Sequence, residues 1–247
     1  MPDSDPKGVR RIRAANPSPL TLDGTNTYLA AGWVVDPGPD EAHHRDAILA
    51  AADGAIEGIA LTHDHLDHTE GAATLAAAAG GVPIVLGSEG DGVGPFDVIP
   101  TPGHSPEHVC LLLGKVAFVG DTVMGHGSVF VAPGEGSLIA YLDSLRRLRE
   151  LELDVICPGH GPYVEDPAAK LDEYLHHRGE RERMLVEALA GGARDEAALL
   201  DHAWSDVPPP LRPAAGVTLR AHLEKLSEEG RLPDGVDPEL LPPFSSH

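Results

Sequence analysis

Residues 62 to 68 read Thr62-His63-Asp64-His65-Leu66-Asp67-His68, which places three imidazoles within six positions. The apolar run from Gly58 to Leu61, directly before it, predicts a short buried strand. The alanine-rich segment from Thr69 to Ala79, directly after it, predicts a helix that ends at Gly80 and Gly81. The histidines therefore lie on a strand-to-helix loop, where the backbone can bring several side chains to one point.

The spacing of these side chains is typical of a metal site. Because His63 and His65 are two positions apart, an extended backbone projects both to the same side. Asp67 and His68 follow where the chain turns into the helix, and they can face a second point nearby. Nitrogen and oxygen ligands of this kind suit zinc. Four donors in one loop favour two adjacent metal ions over one closed site.

Three single donors come later in the chain, each after a hydrophobic run and a turn that contains glycine. They are His104 after residues 98–103, Asp121 after residues 116–120 and His160 after residues 153–159. Glycine at such a turn lets the backbone adopt a positive φ or approach a ligand closely. Seven donors on four loops at strand ends predict a single metal-binding constellation.

The succession H-x-H-x-D-H, T-P-G-H, G-D and P-G-H-G resembles the metallo-beta-lactamase superfamily. The segment from Asn16 to Tyr28, the segment from Gly125 to Phe130 and the pair His177-Arg178 are similar to its beta-lactamase-like protein 2 branch. The resemblance covers nearly the whole chain. It implies an α/β fold, the αββα sandwich, with a small C-terminal winged-helix-like helical module. Residues 1–165 are then the catalytic core, and residues 166–247 are a long helix and the module.

The resemblance also implies how the ligands divide. It assigns His63, His65 and His104 to a first metal, Asp67, His68 and His160 to a second, and Asp121 to both. The expected cofactors are two zinc ions, with iron or manganese as alternatives. A water held between the metals becomes a hydroxide near neutral pH, and this hydroxide is the expected nucleophile. Asp67 and Asp121 are the expected catalytic residues, and the leaving-group proton comes from Asp67 or from a metal-bound water.

Several residues near the donors have other expected roles. In the superfamily an aspartate at the position of Asp36 supports the site and does not bind metal. His108 either orients a ligand through a hydrogen bond or packs in the core, and His177 either shapes the cleft or lies on the helix surface. Asp64 is expected to be a solvated or loop-capping carboxylate. Ser105 has no candidate base nearby, so an acyl-enzyme is not expected.

Two further expectations concern segments outside the metal motifs. Residues 125–136 leave directly from Asp121, and their glycines favour a mobile rim of the site, with Val129 and Phe130 lining an apolar pocket. His43 and His44 open a helix predicted over residues 41–52 and are expected on its solvated face.

Composition limits the partners. The 247 residues include 18 Lys and Arg against 39 Asp and Glu, a formal charge of −21, which repels phosphate backbones over most of the surface. The helix predicted over residues 217–229 lacks a basic stripe, so DNA is not an expected partner. Cys110 and Cys157 lie within hydrophobic runs and are expected to be buried thiols. The chain has no apolar run of membrane length and no recognisable export signal, so a cytoplasmic location without membrane attachment is expected.

Three hypotheses of function follow. The first is a dinuclear zinc-dependent hydrolase of a small ester, thioester or lactone, which the acidic surface and the apolar rim favour. The alternative is a metal-dependent endoribonuclease acting on single-stranded RNA, an activity that the branch implies and the net charge weakens. A non-catalytic, metal-stabilised binding protein fits less well, because a purely structural metal site closes its coordination with fewer donors.

Overall fold

The computed structural model of the protein describes residues 4–52, 54–87, 92–133, 136–233 and 236. The strands are β1 (Val9–Arg13), β2 (Asn26–Ala30), β3 (Trp33–Val35), β4 (Gly58–Leu61), β5 (Ile84–Leu86), β6 (Asp97–Pro100), β7 (Val109–Leu113), β8 (Val116–Gly120) and β9 (Val155–Pro158). The helices are α1 (Ala42–Ala51), α2 (Leu66–Thr69), α3 (Ala72–Ala78), α4 (Leu138–Arg149), α5 (Pro167–Ala190), α6 (Glu196–Ala203) and α7 (Arg212–Glu228). One 3-10 turn, Pro209–Leu211, precedes α7.

The described strands form two sheets, with the orders β1-β2-β3-β4-β5 and β6-β7-β8-β9. In the first sheet, β3, β4 and β5 run parallel to one another. In the second, β6 and β8 both run antiparallel to β7, while β9 runs parallel to β8. Strands β6, β8 and β9 therefore point the same way, and their carboxyl ends share one edge of the sheet. The segments that carry His104, Asp121 and His160 all leave from this edge.

The two sheets pack face to face, and helices cover both outer faces. Between the sheets, the rings of Tyr28 and Phe118 lie 5.4 Å apart, centre to centre, in a shared apolar cluster. On the outer face of the first sheet, Ile59 packs against α1 and α3. On the outer face of the second, Ile156 packs against α4 and α5. These four layers confirm the predicted αββα sandwich.

The helix predicted over residues 69–79 is interrupted. The chain forms the single turn α2, which carries two of the predicted donors, and then the separate helix α3. Gly71 lies between them, and its backbone N–H donates to the carbonyl of Gly38 at 2.9 Å. A Cβ at residue 71 would lie only 3.0 Å from the Pro39 carbonyl oxygen, so the close approach needs glycine. The interruption lets α2 tilt its donors independently of α3.

Helix α5 connects the sandwich with the C-terminal module. Leu171 and Tyr174 pack in the cluster on the second sheet, whereas Leu185 and Leu189 pack in a separate cluster with α6 and α7. The predicted boundary between residues 165 and 166 falls at the start of this shared helix. Residues 234, 235 and 237–247 of the predicted module lie outside the described part. No helix in the described part of the chain has both the length and the apolar character needed to cross a bilayer.

Candidate metal centre

The fold brings the seven predicted donors together in two adjacent groups. The ligand atoms within each group lie no more than 4.8 Å apart. The first group is His63, His65, His104 and Asp121, and the second is Asp67, His68 and His160. Both groups lie where the loop after β4 meets the loops that leave the second sheet. The division into groups matches the division that the family resemblance implies.

The first group presents three ring nitrogens and a carboxylate to one point. His104 Nε2 lies 3.0 Å from His65 Nδ1 and 3.6 Å from Asp121 Oδ2. The rings of His63 and His104 stand nearly edge to face, with centroids 5.2 Å apart. Ring nitrogens this close, together with a carboxylate oxygen, are arranged as ligands around a shared cation would be.

The second group is buried more deeply. His160 Nε2 lies 3.3 Å from His68 Nε2 and 3.3 Å from Asp67 Oδ2. His68 Nε2 lies 3.7 Å from the same Asp67 oxygen. Asp67 is one-third exposed, so it lies at the open side of the group, while both histidines are buried. Two nitrogens and one carboxylate oxygen therefore converge at a point that is open to solvent on the side of Asp67.

Asp121 lies between the two groups. Its Oδ2 faces His104 in the first group, while its Oδ1 lies 3.5 Å from His68 Nε2 and 3.3 Å from His160 Nε2 in the second. Oδ1 is buried and has no hydrogen-bond partner among the described residues. A carboxylate that directs one oxygen to each of two donor groups has the geometry of a bridging ligand.

Two histidines of the site have hydrogen-bond partners that can only accept. These partners determine which ring nitrogen carries the proton and which one faces the donor group. His104 Nδ1 lies 2.8 Å from the carbonyl oxygen of Phe130, and His68 Nδ1 lies 3.0 Å from Asp36 Oδ2. Because neither oxygen can donate, each Nδ1 must carry the proton. Nε2 of each ring is then the atom that faces the donor group. A hydrogen bond of this kind to the remote nitrogen is the usual support of a metal-binding histidine.

Thr62 and Asp36 complete the support. The Thr62 hydroxyl donates to Asp36 Oδ2 at 2.7 Å, and its backbone N–H donates to Asp36 Oδ1 at 2.8 Å. Since its only hydroxyl proton is used there, Thr62 Oγ1 accepts from His63 Nδ1 at 2.9 Å. His63 Nε2 is then left buried and without a partner in the described chain. Asp36 itself, at φ 49°, adopts a conformation that aspartate rarely takes, which its contacts must stabilise.

The N-terminal signature segment positions His160. The Asn26 amide donates to the carbonyls of Pro158 and Gly161 at 3.0 and 2.8 Å, and so shapes the turn that holds this histidine. His160 Nδ1 lies 3.5 Å from the carbonyl oxygen of Gly24. Sequence reasoning did not assign Asn26 a role at the site. In the sequence, only the position of Asn26 within the segment from Asn16 to Tyr28 connected it with the site.

His108 supports the first group from behind. Its ring stacks on that of His63, with centroids 4.8 Å apart and planes 27° apart. Its Nε2 accepts the backbone N–H of Asp121 at 3.2 Å, so Nδ1 carries the proton and donates to Thr101 Oγ1 at 2.9 Å. Of the two expected roles, the geometry favours orientation of a ligand through a hydrogen bond.

The acidic and basic side chains of the site have strongly shifted pKa values. Burial raises the pKa of Asp121, but the neighbouring His68 and His160 lower it by more and hold it well below its usual range. Burial lowers the pKa of His160, and the carboxylates of Asp121 and Asp67 outweigh this and raise it to about 9. Burial lowers the pKa of His63 and of His104, which favours neutral rings able to bind a cation. An ionised Asp121 therefore lies beside a cationic His160 and the neutral rings of His63 and His104.

The remaining candidate nucleophiles are Ser105 and the two cysteines. The Ser105 hydroxyl donates to Glu107 Oε1 at 2.6 Å, so a carboxylate lies within hydrogen-bond reach, contrary to the expectation that Ser105 has no base nearby. Glu107 also accepts the backbone N–H of the exposed Asp64 at 3.2 Å, so it braces the loop that carries the donors. Cys110 and Cys157 are buried free thiols, as predicted, and burial raises the pKa of Cys110 to about 12.

Two expectations from the sequence are wrong. His44 is buried, not solvated, and its Nε2 lies 2.9 Å from the Thr27 hydroxyl, because α1 turns this face toward β2. Val129 packs inside the cluster on the second sheet and does not line a pocket. Phe130 is half-buried, and its carbonyl, which no side-chain pattern reveals, is the part that serves the site. Residues 134 and 135 of the predicted rim lie outside the described residues.

His177 lines a cavity of about 310 Å³ between α5 and the segment after Asp121. Its other lining residues are Gly127, Ser128, Glu173 and Tyr174. A second cavity, of about 490 Å³, shares Glu173 and His177 and extends to Asp206. This placement favours the interpretation of His177 as a residue that shapes a cleft.

The donor set fits metal ions. A buried nitrogen of His63 and a buried oxygen of Asp121 have no hydrogen-bond partner among the described residues, an arrangement that costs free energy unless something else satisfies them. Both atoms face the donor groups. A third group, Asp36 with His63 and His68, is less suited, because both Asp36 oxygens already accept hydrogen bonds.

Two family models match the chain. One, described as the metallo-beta-lactamase superfamily, matches residues 82–160. The other, described as the beta-lactamase associated winged helix domain, matches residues 197–233 and confirms the predicted nature of the C-terminal module. The beta-lactamase-like protein 2 homolog of Caenorhabditis elegans is 32% identical over 256 residues, which cover 90% of this chain and 85% of the relative.

Solved structures agree with this assignment. A metallo-beta-lactamase family protein from Thermus thermophilus is 25% identical, with a TM-score of 0.72, over 94% of this chain and 97% of that one. A second protein, solved in a di-iron-bound form, is 28% identical, with a TM-score of 0.53, over 64% of this chain and 96% of that one. With its sandwich, its grouped histidines and aspartates and its winged helix, the chain belongs to the metallo-beta-lactamase superfamily of hydrolases and resembles the beta-lactamase-like protein 2 branch.

Proposed function

We propose that the protein is a dinuclear zinc-dependent hydrolase of small esters, thioesters or lactones. The observation that carries the dinuclear part is Asp121, which directs one carboxylate oxygen to each donor group. The seven proposed metal ligands are His63, His65, Asp67, His68, His104, Asp121 and His160. Iron and manganese are the alternatives to zinc, because the same nitrogen and oxygen donors accept them. The cytoplasmic location stays a prediction.

The residues of the chain have separate tasks in this mechanism. Divalent ions held by these seven ligands would supply an acidified water for attack and a Lewis acid for the carbonyl oxygen. Asp121 keeps the two positions together, and Asp36 and Phe130 hold His68 and His104 in the tautomers that bind. Asp67, at the open side of the second group, is the carboxylate placed to carry a proton toward the leaving group.

The charge along α5 and of the whole chain favours a small substrate over RNA. The cavities along α5 are lined by the carboxylates of Glu173, Glu180 and Asp206. Arg181 lines the second cavity, and it already pairs with Asp206 at 2.7 Å. With a net charge of −21, this surface offers a phosphate backbone little attraction. The endoribonuclease hypothesis is therefore the second candidate.

An apolar side chain at the metal loop supports an acyl substrate. Leu66 lies in sequence between the donors His65 and Asp67 and is 70% exposed. Leu20, 59% exposed, belongs to the segment that contacts His160 through Gly24. Exposed leucines beside a polar centre are suited to contact the hydrocarbon part of an ester, thioester or lactone.

The test compares substrates and two matched variants. Zinc-loaded protein is assayed on short-chain thioesters, on lactones and on labelled single-stranded RNA, with zinc content measured in parallel. Asp67→Asn should lower thioester or lactone turnover by about 10²–10⁴-fold, as expected for loss of a proton carrier. Asp64→Asn, in the same loop but exposed and outside both groups, should retain activity close to that of wild type.

Each outcome decides between the hypotheses. Cleavage of RNA by wild type and not by Asp67→Asn would replace the acyl-hydrolase proposal with the endoribonuclease one. Wild type that holds two zinc ions and leaves every substrate intact would refute both. Equal activity in Asp67→Asn and Asp64→Asn would remove Asp67 from the mechanism.

A further inference from the structure

Residues 122–130 follow Asp121 directly, and we call them the rim segment. Side chains of two helices hold this segment in place. Tyr141 of α4 donates its hydroxyl to the Thr122 carbonyl at 2.9 Å. Tyr174 of α5 accepts the backbone N–H of Met124 at 3.2 Å and donates to the Gly127 carbonyl at 2.9 Å. From its glycines the sequence predicted a mobile segment, but these hydrogen bonds fix its backbone at three points.

Arg178, also on α5, holds the far part of the rim segment. It is 2% exposed, and its guanidinium donates to the Val129 carbonyl at 2.5 Å and to Ser128 Oγ at 3.1 Å. It lies over the ring of Tyr141, 5.5 Å from the centroid. Burying a cation is costly unless its donors are satisfied, and here the rim segment supplies both acceptors of Nη2, while Nε has no hydrogen-bond partner among the described residues. A loose rim segment would leave this charge unsatisfied.

The rim segment ends at the acceptor of a proposed metal ligand. The carbonyl of Phe130, next to Val129, accepts from His104 Nδ1 at 2.8 Å and so determines which nitrogen of His104 faces the first group. A continuous set of contacts therefore runs from α5 through the rim segment to His104. The second half of the same helix packs in the C-terminal module.

We propose that Tyr174 and Arg178 are positioning residues for the first donor group. They fix the rim segment, and the rim segment fixes the orientation and tautomer of His104. The proposal rests on the proposed function only in taking His104 as a metal ligand. It gives the His177-Arg178 marker a physical role and makes the long helix of the C-terminal module part of the scaffold of the metal centre.

The test uses conservative variants of the full chain. Tyr174→Phe removes only the hydroxyl, and Arg178→Lys keeps the charge but not the planar guanidinium. The matched controls are Tyr163→Phe, whose hydroxyl bonds to Asp5 away from the rim segment, and Arg183→Lys, an exposed residue of α5. Nitrogen-15 NMR of the metal-free proteins reports the tautomer of His104 and the solvent exchange of its Nδ1 proton. Zinc affinity is then measured by competition with a chromogenic chelator.

In wild type and controls, the His104 Nδ1 proton should be observed and exchange slowly. In Tyr174→Phe and Arg178→Lys its exchange should accelerate by about tenfold or more. One of the two zinc equivalents should bind roughly 10–100-fold more weakly, the range seen when a partner that orients a ligand is lost, while the other is unchanged.

An unchanged His104 signal and unchanged zinc affinities in both variants would overturn the proposal. Because the NMR measurement uses metal-free protein, it decides the positioning role even if wild type binds fewer than two zinc ions, a result that would reject the proposed function alone. If Arg178→Lys fails to fold, Tyr174→Phe still carries the test, since it leaves the packing volume almost unchanged.

Discussion

Among single residues, His108 has a role that its sequence context does not determine. The sequence allowed either a core residue or a partner of a ligand, and the residue is both: it is buried, it stacks on His63, and it accepts the backbone N–H of Asp121. Because one ring contacts His63 of the first group and the backbone of Asp121, whose carboxylate faces both groups, its loss should affect both proposed metal positions.

His108→Phe should therefore weaken binding of both zinc ions, by about 10–100-fold. The phenyl ring preserves the stacking on His63 but leaves the Asp121 N–H and the Thr101 hydroxyl without their partner, at a cost of roughly 1–3 kcal/mol in the free energy of unfolding. Zinc titration and urea unfolding of the metal-free protein measure the two effects.

His108→Gln is the matched control, because its amide oxygen can occupy the place of Nε2 and accept from the Asp121 N–H. Zinc affinity in His108→Gln should be closer to wild type than in His108→Phe. The reverse order would show that ring stacking, and not the hydrogen bond, is the contribution of His108.

The donors themselves were predictable from the sequence, and their support was predictable only in part. Histidine and aspartate at strand ends are visible in any sequence, and Asp36 was assigned a supporting role through the resemblance. Thr62 and Asn26 were missed, because threonine and asparagine occur in many loops with no role at a site. The carbonyl of Phe130 could not be predicted, since a backbone acceptor has no residue type.

Among the elements, bounds were predictable where apolar runs end at charged or glycine residues. Strand β4 has its predicted bounds, and helix α5 begins one residue after position 166, where the long helix was predicted to start. Helix α7 begins at Arg212, five positions before the predicted start, because Pro213 lies in its first turn, where proline needs no backbone N–H. The prediction that His44 lies on the solvated face of α1 was wrong, because one polar residue on a short helix does not reveal which neighbouring element packs against it.

An ionic cluster joins α5 to α7. Glu182 lies 2.7 Å from Lys225 and 2.6 Å from Arg231, and His222 is 3.9 Å away. These neighbours, with His222 foremost, outweigh burial and hold the pKa of Glu182 well below its usual value of 4.5. A carboxyl whose pKa is lower in the folded state stabilises that state above its unfolded pKa, and the contribution disappears as the pH falls toward the folded value.

Glu182→Gln should destabilise the protein by about 2 kcal/mol at neutral pH, because it leaves the buried Lys225 with only Glu229. The difference from wild type should shrink as the pH falls below about 4.5. Thermal unfolding followed by the fluorescence of Trp204, which is buried in the same module, measures this. A difference that persists unchanged at low pH would contradict the ionic explanation.

Glu187→Gln is the control on the same helix. Its partner Arg183 lies 2.6 Å away at an exposed position, so the change should cost less than about 0.5 kcal/mol at any pH.

For the whole molecule, the acidic charge and the metal centre act on stability together. A chain of net charge −21 repels itself, and cations held at the two donor groups would relieve part of that repulsion while linking the two sheets. Each site held at 100-fold excess over its Kd adds about 2.7 kcal/mol to the folded state.

Removal of zinc by a chelator should lower the Tm by roughly 10–20 °C, since 1 kcal/mol corresponds to about 2–4 °C in a chain of this size. Differential scanning calorimetry before and after dialysis, and again after zinc is restored, provides the measurement. Asp121→Asn protein should show a much smaller change than wild type. A Tm that is insensitive to the chelator would mean that the ions contribute nothing to the folded state.

The two donor groups also differ in the point of translation at which all of their ligands have been synthesised. All four donors of the first group are synthesised by residue 121, whereas the second group waits for His160, which contacts the Gly24 carbonyl across 136 positions of sequence. On a translating ribosome, a nascent chain can therefore carry every ligand of one metal position while the other still lacks its last ligand. We expect the ions to be acquired in a fixed order during biosynthesis, and the zinc content of chains stalled before and after residue 160 would record it.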